Sequence, residues 1–207
     1  LHYALRRQRQ MCIRDRLDIA LCRDWAAVGQ ALDQQRLAFF PLQDWAPQLQ
    51  RMIDLRNTLG LRSPIHSLAR VLNPLSARCG LQSIFHPGYQ AVHREASRLL
   101  GDQAVVIKGD GGEIEVNPDV ISHLYGTRAG EAWDEEWPAL SERRHVKPAS
   151  LQPEQLVAVW RGEAEDSYGE MAIVATMALA LRGLGQGREE AFATARDYWR
   201  ARNQSKK

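Results

Sequence analysis

A short, uninterrupted apolar strand near the middle of the chain constrains its fold more than any other feature. Residues 104–109 have the sequence AVVIKG, and the four residues before Lys108 show no alternation of apolar and polar side chains. Such a run is typical of a strand that is buried on both faces. Helical and strand patterns alternate around it, which favours an α/β fold with helices packed on a mainly parallel sheet.

The remaining elements are predicted from the spacing of apolar residues and from turn residues. Helices are predicted over residues 24–33, 45–59, 87–100, 170–184 and 188–202. Strands are predicted over residues 37–41, 82–85 and 114–116, and an outer hairpin or turn is expected before residue 144. Gly60 is expected to cap the helix before it, and Ser63 with Pro64 to start a further short helix.

The composition is that of a globular protein. The chain has 207 residues, 44% of them hydrophobic and 25% charged, which suffices for one domain with a sizeable core. Its longest apolar run, residues 171–181, is shorter than the roughly 20 residues of a membrane-spanning helix, and no signal-peptide core is evident. We therefore expect a cytoplasmic protein with no membrane partner. The three cysteines lack the spacing of a zinc site.

The first sixteen residues differ in charge from the rest of the chain. They contain five arginines and one acid, and without them 22 basic and 24 acidic residues remain. The segment has no sustained apolar face and opens on Leu1 instead of methionine. We expect residues 1–16 to be foreign to the domain, and a genuine basic arm is the alternative. The domain itself is predicted over residues 17–203, with a polar tail at 204–207.

One block of the sequence resembles a known family. Residues 56–75, RNTLGLRSPIHSLARVLNPL, contain R-x-x-L-G-x-R-[ST] followed by L-N-P-L, which resembles a segment of anthranilate phosphoribosyltransferases. From about residue 26 to 203, the order of features is similar to the C-terminal two-thirds of glycosyl transferase family 3. The resemblance implies a nucleoside phosphorylase/phosphoribosyltransferase-like C-terminal domain. The family's glycine-rich phosphate loop and N-terminal helical domain have no match, so we expect a truncated fragment of a homodimeric protein.

Several positions depart from the enzyme pattern. His66 stands where the enzymes have Asn, and Ala69-Arg70 stand where they have Gly-Pro. Together with HPGY at residues 86–89 and GEIEVNP at residues 112–118, these departures most resemble the YbiB-type branch of the family. Resemblance to that branch implies a protein that keeps the transferase fold, lacks the anthranilate reaction and binds nucleic acid. No catalytic residue is assigned on this basis.

The family's magnesium site is altered in this chain. The enzymes place an adjacent Asp-Glu pair after the loop that matches Lys108-Gly109, and this chain has Ile114-Glu115 there. Magnesium prefers oxygen ligands, so one carboxylate is lost. Glu113 offers a substitute, because residues 113 and 115 of an extended segment point to the same face. The leading expectation is therefore no cofactor, and the alternative is Mg²⁺ held by Glu113 and Glu115.

The candidate ligand-binding residues are cationic or polar. Arg62 matches the arginine that contacts the aromatic acid in the enzymes, and a guanidinium suits a carboxylate or a phosphate. A structural ion pair is the equal alternative for Arg62. The other candidate ligand or phosphate-binding residues are Arg56, His66, Arg70 and Lys108.

The charge distribution favours a polyanionic partner. Residues 51–98 contain seven arginines and two acids, and residues 110–142 contain nine acids and one arginine. Nucleic-acid binding needs such local clusters of cations, and solvated helix faces are the structural alternative. The leading hypothesis is a YbiB-type protein that binds DNA or other nucleic acid through an arginine-rich surface. The alternative is a magnesium-dependent phosphoribosyltransferase that binds phosphoribosyl pyrophosphate and an altered small acceptor.

Overall fold

The computed structural model describes residues 14–109, 113–142, 144–145 and 153–202. It divides the chain into two compact units. The first unit contains Leu1–Ala69 with Pro148–Glu165, and the second contains Arg70–Lys147 with Asp166–Lys207. Most of the predicted foreign segment and the predicted tail at 204–207 lie outside the described residues. The extent of one domain over residues 17–203 stays a prediction, and each unit is described by itself.

The helices of the first unit are α1 (Trp25–Gln35), α2 (Leu42–Trp45), α3 (Pro47–Asp54), α4 (Arg56–Leu59), α5 (Ile65–Leu68) and α7 (Pro153–Arg161). Those of the second unit are α6 (Gln90–Leu99), α8 (Ser167–Gly183) and α9 (Arg188–Ala201). The second unit also contains strands β1 (Gly80–Ile84), β2 (Ala104–Lys108), β3 (Ser122–Arg128) and β4 (Glu131–Trp137). No helix in the described ranges is both long enough and apolar enough to cross a bilayer.

The first unit is built around α1. Asp24 caps this helix by accepting a hydrogen bond from the Ala27 N–H at 2.8 Å. The helix places Val28 and Ala31 in a small core with Cys22, and Phe40 packs against them. The strand predicted over residues 37–41 is reduced to a single parallel bridge between Leu21 and Phe39. This unit therefore rests on helices and short connections.

The helix predicted over residues 45–59 is interrupted in the structure. Ala46 has φ −138° and ψ 65°, which separates α2 from α3. The residue before a proline is disfavoured in the helical conformation, and Pro47 follows Ala46 directly. Gly60 ends α4 at φ 71° and donates its N–H to the Arg56 carbonyl at 2.9 Å. The predicted glycine cap is thus confirmed, although the helix before it consists of short pieces.

The second unit contains a four-stranded sheet with strand order β1-β2-β3-β4. The pair β1–β2 is parallel, whereas β2–β3 and β3–β4 are antiparallel. The α/β fold class is confirmed, with the correction that this described sheet is mixed and not mainly parallel. The antiparallel β3–β4 pair has a local cause, since these strands form a hairpin whose turn residues Ala129 and Gly130 both have positive φ. That hairpin lies within the stretch where a turn was predicted.

Helices cover both faces of this sheet. Val105 is fully buried and faces α8, where a side chain at Gly183 would come within 2.8 Å of it. Gln82 pairs in register with Val106 and contacts α6 on the other face. Helix α9 packs against α8 and adds the buried side chains of Ala191, Ala195 and Trp199. The second unit thus holds its parallel strand pair in a closely packed core.

Candidate functional site

The parallel strands β1 and β2 end side by side. Ile84 is in register with Lys108, and the Gly109 N–H donates to the Ile84 carbonyl at 3.1 Å. In α/β sheets, ligands commonly bind beyond the carboxyl ends of parallel strands. Lys108 is exposed at this edge, so its ammonium is available to an anion. The edge is therefore the starting point for a candidate site in the second unit.

Ser83 joins this edge to the segment that carries the candidate metal ligands. Its side chain is buried, and its hydroxyl donates to the Glu113 carbonyl at 2.6 Å. A Cβ atom at Gly109 would lie 1.9 Å from both the Ser83 hydroxyl and the Glu113 carbonyl oxygen. Only glycine at position 109 lets the end of β2 approach the Ser83 hydroxyl and the Glu113 backbone this closely. Residues 110–112, which include the Asp-Gly-Gly of the sequence motif, lie outside the described residues.

Arg70 also contacts Ser83 of strand β1. It is half-buried, and its Nη1 donates to the Ser83 carbonyl at 2.8 Å. We refer to Arg70, Ser83, Gly109 and Glu113 as the edge cluster. The arginine that replaces the proline of the enzyme pattern therefore makes a structural contact with β1.

The extended segment after Gly109 shows alternating exposure. Glu113 and Glu115 are exposed, Ile114 is half-buried and Val116 is only 3% exposed. The Val116 N–H donates to the Thr176 hydroxyl at 3.0 Å, which fixes the far end of the segment on α8. Both carboxylates thus lie on the solvent side of an anchored segment. The strand predicted over residues 114–116 appears as this extended segment without ladder pairing.

The two carboxylates fit one mode of magnesium binding. Magnesium is commonly held by one or two carboxylates together with substrate phosphates, and less often by an all-protein cage. Among the residues that the structure describes, no group of three His, Cys, Asp or Glu side chains is arranged to hold a metal. Glu113 and Glu115 would therefore hold Mg²⁺ only together with oxygen ligands from another molecule.

A buried polar chain underlies β1 on the opposite face of the sheet. His93 Nδ1 lies 3.0 Å from Gln82 Oε1, and Gln82 Nε2 donates to the Ser97 hydroxyl at 2.9 Å. Burial and, to a lesser extent, the positive charge of Arg70 lower the pKa of His93 below its ordinary value. Sequence reasoning missed this group, although polar residues 90, 93 and 97 share one helical face and indicate an unusual polar interior.

The remaining candidate residues lie in the first unit. Arg56 begins α4 and is exposed, and Arg62 is exposed in the connection before α5. His66 Nδ1 accepts a hydrogen bond from the Ser63 N–H at 3.2 Å, so its imidazole braces the start of α5. Of the seven candidates, the structure places Arg56, Arg62 and His66 in the first unit and Arg70, Lys108, Glu113 and Glu115 in the second.

The arginines of residues 51–98 fall into two groups. In the second unit, Arg94 pairs with Asp134 and Arg98 donates to Glu95 at 2.9 Å. In the first unit, Arg51, Arg56 and Arg62 are exposed, and no ion pair between described residues involves them. We refer to these three as the exposed arginine run. The acidic stretch is also partly neutralised, since Glu135 pairs with Arg182 at 2.7 Å.

Sequence comparison identifies relatives of two kinds. An uncharacterised protein of Aquifex aeolicus is 37% identical over 84 residues, covering 40% of this chain and 27% of that protein. The uncharacterised protein YbiB of Escherichia coli is 30% identical over 95 residues, covering 44% of this chain and 30% of YbiB. Anthranilate phosphoribosyltransferase of Stenotrophomonas maltophilia is 28% identical over 187 residues, covering 83% of this chain and 52% of the enzyme. No protein-family model matches the chain.

Solved structures show the same fold. Anthranilate phosphoribosyltransferase of Thermus thermophilus superposes with a TM-score of 0.73 at 19% identity, covering 93% of this chain and 60% of the enzyme. The Saccharomyces cerevisiae enzyme in complex with PRPP and Mg has a TM-score of 0.68 at 16% identity, covering 92% and 58%. The chain spans about half the length of the Stenotrophomonas maltophilia enzyme. The chain is thus similar in sequence to YbiB and to the anthranilate phosphoribosyltransferases, and it shares the fold of the solved anthranilate phosphoribosyltransferases.

Proposed function

We propose that the protein is a magnesium-dependent phosphoribosyltransferase that uses an acceptor other than anthranilate. The observation that carries the proposal is the hydrogen bond from Ser83 to Glu113, which holds two exposed carboxylates next to the strand edge that bears Lys108. A cation and a pair of carboxylates suit a phosphorylated ligand with its metal. The fold shared with the yeast enzyme in complex with PRPP and Mg adds support.

Each residue has a distinct role in this proposal. Lys108 binds a phosphate oxygen of the ribose donor, because an exposed ammonium acts as a point charge for phosphate. Glu113 and Glu115 hold Mg²⁺ from the solvent side of their segment. When bound, the metal neutralises negative charge on the pyrophosphate group that leaves. Arg70 and Ser83 keep β1 and the carboxylate segment in register.

The acceptor is proposed to differ from anthranilate because two positions of the enzyme pattern serve other purposes in this chain. His66 replaces Asn, and its ring accepts a hydrogen bond from Ser63. Arg70 replaces Pro, and its guanidinium binds the Ser83 carbonyl. Both changes alter the size and polarity of positions that the enzymes fill with smaller or apolar groups. An acceptor of different shape is the expected consequence.

Calorimetric titration of the protein with PRPP, with and without Mg²⁺, tests this proposal. We expect saturable binding that requires Mg²⁺ and weakens at least tenfold in Lys108→Gln, because a charge-assisted hydrogen bond is lost. Arg78→Gln is the matched control, since it removes an exposed cation of the same unit. Absence of PRPP binding, or equal affinities of the two variants, would contradict the proposal.

A second candidate function, nucleic-acid binding, is favoured by the exposed arginine run. Three exposed guanidiniums that no described acid neutralises provide the charge that phosphate contacts need. Fluorescence anisotropy with a DNA duplex across a salt series is the appropriate measurement. We expect the combined substitution of Arg51, Arg56 and Arg62 by Gln to reduce the salt slope by roughly three, and Arg161→Gln to reduce it by at most about one. An unchanged slope in the triple variant excludes this function for the run.

A further inference from the structure

The carboxylate segment, residues 113–116, is held at both ends by side-chain hydroxyls. At its start, the Ser83 hydroxyl donates to the Glu113 carbonyl at 2.6 Å. At its end, the Val116 N–H donates to the Thr176 hydroxyl at 3.0 Å. Thr176 in turn donates to the Ala172 carbonyl at 2.7 Å within α8, so its hydroxyl is fixed in orientation. One support comes from strand β1 and the other from helix α8.

Both supports belong to rigid parts of the second unit. Ser83 is 5% exposed and is in register with Ile107 of β2, which is 2% exposed. Thr176 follows Ala175, which is fully buried in α8. Functional groups are held most accurately when supporting residues on strands and helices fix them. The segment is therefore positioned by two elements that pack in the same core.

The two anchoring hydrogen bonds do not involve the carboxylate groups of Glu113 and Glu115. The hydrogen bonds engage the backbone of residues 113 and 116, whereas the side chains of Glu113 and Glu115 are exposed. The two hydroxyls thus position the carboxylates through the backbone of the carboxylate segment. Gly109 contributes because it has no Cβ atom, which would otherwise overlap the hydrogen bond between the Ser83 hydroxyl and the Glu113 carbonyl.

We propose that Ser83 and Thr176 are positioning residues that hold Glu113 and Glu115 at the spacing needed to bind a divalent cation. This inference rests on the proposed function, because it assigns the metal to these two carboxylates. Neither hydroxyl contacts the metal, and each acts through the backbone of the carboxylate segment. Loss of either hydroxyl lets the segment move and weakens cation binding without removing a ligand.

Titration of the protein with Mn²⁺ alone, followed by electron paramagnetic resonance, provides the first readout. We expect Ser83→Ala and Thr176→Val each to weaken Mn²⁺ binding about three- to tenfold, the effect of one lost hydrogen bond. Thr176→Ser keeps the hydroxyl and is expected to bind like the unmodified protein. Ser97→Ala is the matched control, because it removes a buried serine hydroxyl that bonds Gln82 and not the carboxylate segment.

Amide hydrogen exchange of Val116 provides a second readout that needs no ligand. We expect exchange to accelerate in Thr176→Val and to stay slow in Thr176→Ser. If the unmodified protein binds Mn²⁺ and all variants bind equally well, the positioning role is overturned while the proposed function stands. If the unmodified protein binds no Mn²⁺, the proposed metal site fails, and unchanged Val116 exchange in Thr176→Val would also overturn the anchoring.

Discussion

The arginines of residues 51–98 have opposite fates in the two units. In the first unit, the exposed arginine run faces solvent without an acidic partner among the described residues. In the second unit, Arg70 binds the Ser83 carbonyl of β1, Arg94 binds Asp134 of β4 and Arg98 binds Glu95 of its own helix, whereas Arg78 is exposed. Similar charge density in sequence therefore leaves all three arginines of the first unit exposed and gives three of the four in the second unit a protein partner. Whether an arginine is available to a ligand therefore depends on the carboxylates and carbonyls that the fold places beside it.

The largest effect is expected at the edge cluster. Gly109→Ala places a methyl group 1.9 Å from the Ser83 hydroxyl and from the Glu113 carbonyl oxygen. We expect the free energy of unfolding to fall by about 2–3 kcal/mol, as for overpacking of a buried site. Urea denaturation measures this change. Gly88→Ala is the control, because nothing lies within 4 Å of its added Cβ and the cost is expected to stay within about 0.5 kcal/mol. Equal losses of stability at Gly109 and Gly88 would show that the close contacts of the edge cluster do not restrict position 109.

A smaller difference is expected between arginines of the two units. Arg94 is 20% exposed, pairs with Asp134 and lies over the Tyr125 ring. Arg94→Ala is expected to lower the free energy of unfolding by about 1 kcal/mol through lost packing and charge contacts. Arg51→Ala is expected to change it by less than about 0.5 kcal/mol. Equal losses in the free energy of unfolding of Arg51→Ala and Arg94→Ala, measured by urea denaturation, would contradict this difference between the two units.

The pH dependence of stability reports on the interior next to Arg70. His93 has a lowered pKa in the folded protein, so the unfolded chain takes up the proton more readily. Its contribution to stability is complete above its ordinary value of 6.5 and is lost as the pH falls through the lower folded value. We expect the loss of stability between pH 7.5 and about 5.5 to be smaller in His93→Gln than in the unmodified protein. Denaturation curves at both pH values measure it, and identical losses would contradict the assignment.

The smallest expected effect on stability is at Arg62. Arg62→Gln is expected to leave the free energy of unfolding unchanged within about 0.5 kcal/mol, since the exposed side chain pairs with no described acid. If the run binds an anion, the same variant loses affinity for DNA in anisotropy measurements. A destabilisation of 1 kcal/mol or more, roughly the worth of a structural ion pair, would instead support a structural role for Arg62.

The local elements of the fold were largely predictable from sequence. The apolar run at residues 104–109 became β2, and the helices predicted over 24–33, 170–184 and 188–202 are present with small shifts at their ends. Gly60 caps its helix as predicted, because a glycine at positive φ is a local signal. Strand direction was harder to predict, since it depends on the hairpin that joins β3 and β4. The interruption before Pro47 shows a proline overriding helical spacing.

The candidate site was less predictable because its contacts join distant positions. Ser83 and Glu113 are 30 residues apart, and Arg94 and Asp134 are 40 apart. Apolar periodicity says nothing about either pair. The alternation that places Glu113 and Glu115 on one side of their segment was visible in the sequence, since it follows from extended geometry. The anchoring hydroxyls of Ser83 and Thr176 had no sequence signal.

In the proposed function, the edge cluster presents Glu113 and Glu115 to a metal-bound ribose phosphate. The most direct measurement is the Mg²⁺ dependence of PRPP binding to Glu113→Gln/Glu115→Gln, compared with Glu163→Gln, which removes an exposed acid of the first unit. We expect the double variant to lose the gain in PRPP affinity that Mg²⁺ provides and the control to keep it. An undiminished gain in the double variant would show that these two carboxylates do not hold the metal.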